Sequence, residues 1–127
     1  MTTLLPNTRR PDVSFYANGR IDITARVAKM LSLKENDVID IALQGGEYLL
    51  YRKYKAESLI GRHEAQCHVT KKRGLFRSNN IRAYSKRLCA AMLKAAGTHP
   101  TARLPVGINT PLGHHGTAVT IIIHPIE

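Results

Sequence analysis

Seven of the nineteen Lys and Arg residues fall in one stretch, HVTKKRGLFRSNNIRAYSKR, residues 68–87, which holds no carboxylate. Lys71, Lys72 and Arg73 precede Gly74, Arg77 and Arg82 flank Ser78-Asn79-Asn80, and Lys86 and Arg87 follow. Such cations neutralise phosphate and release its condensed counterions. Asn79 and Asn80 bring amides that suit phosphate oxygens and base edges. Catalytic patterns are missing. No closely spaced acid pair, G-x-S-x-G, phosphate loop or dinucleotide fingerprint occurs, so no enzyme is expected. Cys89 lies at the edge of an apolar helical stripe and reads as a buried thiol. His63, Cys67 and His68 lack the paired spacing of a metal site, and neither metal nor cofactor is expected.

The charge is unevenly spread. The 127 residues carry 19 Lys and Arg against 9 Asp and Glu, a net charge of +10. Residues 1–64 hold ten basic and eight acidic side chains, net +2, whereas residues 65–126 hold nine basic and none acidic, net +9. A cationic excess on one half suits a polyanionic partner. A hydrophobic share of 43% and a charged share of 22% are those of a globular chain. No run is long and apolar enough for a membrane span, and MTTLLPNTRRPD lacks the apolar run of a secretory signal, so none is expected. With only two cysteines, a cytoplasmic setting is expected, on the nucleoid if the partner is DNA.

These groups need elements to hold them. Residues 1–12, with Arg9-Arg10, read as a basic leader. VSFY is β-prone, Asn18-Gly19 supplies a turn, and RIDI alternates, with Ile21 and Ile23 on one face and Arg20 and Asp22 on the other. Thr24 suits a helix cap before ARVAKML, whose Val27, Met30 and Leu31 point inward. VIDIAL and EYLLYRKY are strands joined at Gly45-Gly46. The order is β-β-α-β-β.

That order resembles the AbrB/SpoVT-like family of swapped-hairpin transcription factors, through NGRIDITARVAKMLSLKENDVIDIALQGGEYLLYRKY. Gly19-Arg20, Ile21, Ile23, Leu31, Leu33, Asp37 and Ile41 carry the likeness; Thr24 stands where the family has Pro, and Ser32 where it has Gly. The resemblance implies a homodimer with interleaved hairpins, and DNA contacts at Arg20 and Lys29, positions that are commonly basic in the family; Arg26 stands where the family has an acid and is added to the contacts as a further cation. Residues 13–55 alone are too few to close a core. Either a second chain or the second half of this one must complete it.

In residues 56–127, AQCHVT (65–70) reads as a strand. A helix is predicted over 80–96, starting at the cap-type Asn80, with Ile81, Tyr84, Leu88, Met92 and Ala95 as its buried stripe and Gly97 as its stop. A short strand at 102–106 and a closing strand at 117–124 follow. The second half thus loosely echoes the first, and internal duplication is one reading. The expected fold is α+β: a small, mostly antiparallel, swapped-hairpin-like β body with one short and one longer amphipathic helix. The expected function is nucleic-acid binding, DNA before RNA, as a transcriptional regulator of AbrB-like type, with a phage or mobile element as one setting. The contacts assigned are Arg20, Arg26, Lys29, Lys71, Lys72, Arg73, Arg77, Asn79, Asn80, Arg82, Lys86 and Arg87. The alternative partner is an acidic protein surface.

Overall fold

A computed structural model of the chain describes residues 11–70 and 80–123. The fold is α+β; among the described residues there are nine strands in two antiparallel sheets and two α-helices. The strands are β1 (Val13–Tyr16), β2 (Arg20–Ile23), β3 (Val38–Gln44), β4 (Glu47–Tyr54), β5 (His68–Val69), β6 (Ile81–Tyr84), β7 (Thr101–Leu104), β8 (Val106–Pro111) and β9 (Thr117–Ile121). The helices are α1 (Ala25–Met30) and α2 (Lys86–Ala96). The first sheet runs β5-β6-β2-β1-β7 and the second β3-β4-β9-β8.

Each half of the chain gives one hairpin to each sheet. β1-β2 meets β5-β6 through the β2–β6 pairing, and β3-β4 meets β8-β9 through β4–β9. The second half therefore supplies the partner hairpins that the first half lacks. The inward residues of both sheets then share one core: Val13, Phe15, Ile21 and Ile23 from the first half, Ile81, Ala83, Val119 and Ile121 from the second. Val27 of α1 and Cys89 and Met92 of α2 complete it.

Turn chemistry sets the hairpins. Gly45 and Gly46 adopt φ of 58° and 78°, the left-handed pair that a tight two-residue hairpin needs. Gly19 (φ 96°) closes the β1-β2 turn and lies so near α2 that an added Cβ would meet Lys86 Cγ at 3.0 Å. Its carbonyl accepts from Ser85 N, tying the turn to the start of α2.

Buried Asp12 fastens the halves together. Its carboxylate accepts from Arg26 Nη2 at 3.1 Å and from the backbone N of Val106 at 3.2 Å, joining α1 to the first residue of β8. Asn80 makes a second such tie, its Oδ1 accepting from Ala25 N at 2.9 Å. It caps α1, whose own cap residue Thr24 makes no side-chain capping bond.

The predicted helix over 80–96 is corrected. Residues 81–84 form β6, and α2 begins at Lys86 with Ser85 as its cap, Ser85 Oγ accepting from Leu88 N at 3.1 Å. Ile81, Tyr84 and Leu88 fit helical steps, but Ile81 and Ala83 also alternate with Arg82 and Tyr84. Pairing with β2, which local sequence does not reveal, decides for the strand. The C-terminal boundary is as expected, with Gly97 left-handed at φ 69°. The strand at 65–70 narrows to β5 plus a bridge at Gln66. The strand at 102–106 is two strands, divided at Pro105, which has no N–H to give a ladder.

Candidate nucleic-acid interface

The alternation of the first sheet buries one face and leaves the other to solvent. Register places the outward residues in rows. One row crosses all five strands: His68 stands opposite Arg82, Arg82 opposite Asp22, Asp22 opposite Ser14, and Ser14 opposite Arg103. Beside it, Arg20 stands opposite Tyr84 and Tyr16 opposite Thr101.

Asp22 organises the centre of this face. One carboxylate oxygen accepts from Arg20 Nη2 at 3.2 Å and the other from Arg82 Nε at 2.9 Å. A single carboxylate thus fixes two guanidinium groups and leaves their summed charge positive. The Arg20 guanidinium also lies over the Tyr16 ring, 4.1 Å from its centroid, a cation–π arrangement. Its charged form is favoured first by the Tyr16 hydroxyl and then by Asp22. Arg103 is exposed and makes no ion pair among the described residues. His68 Nδ1 lies 2.9 Å from Glu35 Oε1, and Glu35 Oε2 accepts from Val69 N at 2.6 Å, holding the edge strand β5 in place. The chain leaves this edge at Thr70 and returns at Asn80, where Thr70 N donates to the Asn80 carbonyl at 2.9 Å.

Of the twelve residues assigned from sequence, the seven described ones are thus dispersed. Arg20 and Arg82 share the open face. Lys71, Lys72, Arg73, Arg77 and Asn79 lie outside the described residues. Arg26 is held by Asp12 and Asn80 caps α1, so both have structural partners. Lys29 lies on α1, exposed, in a cleft lined also by Val69 and Ile81. Lys86 opens α2 against Gly19. Arg87 turns to a different cleft of about 550 Å³, beside Asp40, Lys53 and His63. There it meets Glu64 with two donors, Nε and Nη2, and Ser85 Oγ donates to the same carboxylate at 2.8 Å.

The acid-free half does not therefore make an acid-free surface. Asp22, Glu35 and Glu64 of the first half reach across to Arg82, His68 and Arg87 of the second. Tyr84, Tyr16, Arg103 and His68 share this face but are not among the contacts assigned from sequence. Tyr84 is the sharpest correction: assigned to a buried stripe, it is 54% exposed on the open face. The two-residue alternation through Arg82 and Tyr84 carried that signal.

Arg87, then Ser85, lowers the Glu64 pKa below the ordinary glutamate range. A depressed carboxylate pKa contributes stability that is present above the unfolded value and lost as pH falls through the folded one. The stability gap between the wild type and Glu64→Gln is therefore expected to shrink on acidification from about pH 6 to about pH 3, read as urea midpoints. A gap unchanged across that window would rule out the contact in solution. The cysteines are placed for packing: both are buried, and desolvation, then Asp37, pushes the Cys67 thiol up to about 12.

The chain matches no family model, and no curated protein or solved structure is significantly similar to it.

Proposed function

We propose that this is a non-enzymatic nucleic-acid-binding protein whose contact surface is the open face of the first sheet. DNA is the expected polymer, and transcriptional regulation, which the AbrB-like pattern implies, is the expected setting. One observation carries the reading. Arg20, Arg82 and Arg103 share one exposed face with His68, Tyr16 and Tyr84; among the described residues Asp22 is the carboxylate within their rows, and Glu35 meets His68 at the edge. Cations fixed in advance lose less freedom on meeting phosphate than free side chains do. Arg suits that role because its planar fork matches phosphate oxygens in pairs.

In the sequence, Lys71, Lys72, Arg73 and Arg77 lie between β5 and β6 and add to the cationic charge of the chain. The test is the salt dependence of affinity for DNA, read by fluorescence anisotropy. Log affinity should fall linearly with log salt, with a slope of several units. Lack of binding to any single strand or duplex at about 50 mM salt sinks the reading.

A further inference from the structure

The open face spans five strands and carries aromatic side chains, and these properties bear on the form of nucleic acid it takes. Four inter-strand spacings separate His68 from Arg103, about 19 Å. The major groove of a duplex is about 12 Å wide and admits a helix or a two-stranded ribbon, not a five-stranded sheet. A duplex can touch this face only through its phosphates, because its bases are stacked on one another. Unpaired bases can instead lie on planar side chains. Two such planes stand together here. Tyr84 is 54% exposed, and its cross-strand partner Arg20 lies with one side of its guanidinium on Tyr16.

We propose that this face binds an unpaired polynucleotide strand, stacking a base on the exposed Tyr84 ring beside the Arg20 guanidinium that Tyr16 and Asp22 hold. Arg82 and Arg103, one row away, contact the phosphates. This inference rests on the nucleic-acid reading above and names the form of polymer at the same site. Asp22 is a positioning residue, since it holds Arg20 and Arg82 without needing to touch the strand.

The test uses the full chain and three labelled probes at about 50 mM salt: an oligothymidylate of about 15 nucleotides, its duplex with the complementary strand, and an abasic strand of equal length. The oligothymidylate should bind about ten-fold or more tightly than the duplex, and the abasic strand should lose that advantage. Tyr84→Ala should weaken oligothymidylate binding about five-fold or more, with the salt slope and duplex affinity unchanged. Tyr84→Phe, which keeps the ring, should bind like wild type and shows that loss of the ring, not misfolding, is responsible. A duplex that binds as well as the single strand overturns the proposal. So does an abasic strand that binds as well as oligothymidylate, or a Tyr84→Ala variant that binds normally. In those three cases the nucleic-acid reading stands; absence of binding to all three probes removes both.

Discussion

Replacing Arg82 and Arg103 together with alanine is expected to lower DNA affinity about 100-fold at low salt, roughly ten-fold for each charge-assisted hydrogen bond to phosphate that the variant can no longer make. The two residues occupy one outward row of the first sheet, Arg82 held by Asp22 and Arg103 without an ion pair among the described residues. Removing each cation from the phosphates should also flatten the log–log salt dependence by about 0.7 to 0.9, so the slope of the double variant should be shallower by about 1.5 units. Two controls separate this face from charge in general. Arg87→Ala removes a cation paired to Glu64 in another cleft, and Lys94→Ala removes an exposed cation from α2. Both should bind near the wild-type level. If Arg87→Ala weakens binding more than the double variant does, the contact surface is the cleft and not the sheet.

The second large effect concerns stability. Phe15→Ala should destabilise the fold by about 3–5 kcal/mol, since truncating a buried aromatic forfeits its transfer free energy and leaves a cavity. Phe15 is 0% exposed on β1, the strand between β2 and β7, with Ile21 and Ala102 as its cross-strand partners. Domains of this size have total stabilities of about 5–15 kcal/mol, so the variant should lose much of its margin. Ser14→Ala, one residue away on the outward face, removes no core packing and should shift the urea midpoint little. Equal midpoints for the two variants would contradict the assignment of the inward face.

How far the fold was legible depended on whether its signals were local. β1 to β4 and α1 follow from alternation, the Asn18-Gly19 turn and the Gly45-Gly46 turn, all of which act within a few residues. The start of α2 was not legible in this way. Asn80 and Ser85 are both cap-type residues, and the steps from Ile81 to Leu88 suit either a helix or a strand followed by a helix. The choice is made by β2, some sixty residues earlier, whose Ile21 and Ile23 stand opposite Ala83 and Ile81. The same missing information misplaced Tyr84, because a residue assigned to an apolar helix stripe turned out to lie on an exposed sheet face.

Charge was legible in total but not in pairing. The +9 of residues 65–126 is a property of the sequence, whereas its partial compensation by Asp22, Glu35 and Glu64 exists only once the two halves pack. That pairing gives Arg20 and Arg82 a shared carboxylate and fixed directions. Glu64 likewise takes Arg87 out of the set of free cations, as Asp12 does Arg26. Sequence reasoning could weigh the number of cations but not this division of roles.

The central claim is that nucleic acid meets the outward face of the first sheet. Backbone amide shift mapping of the isotope-labelled protein, titrated with oligothymidylate, tests it most directly. The expected result is a set of perturbations at Ser14, Tyr16, Asp22, Arg82, Tyr84 and Arg103, with β3, β4, β8 and β9 unmoved. Perturbations confined to the second sheet or to the Arg87–Glu64 cleft would contradict the account.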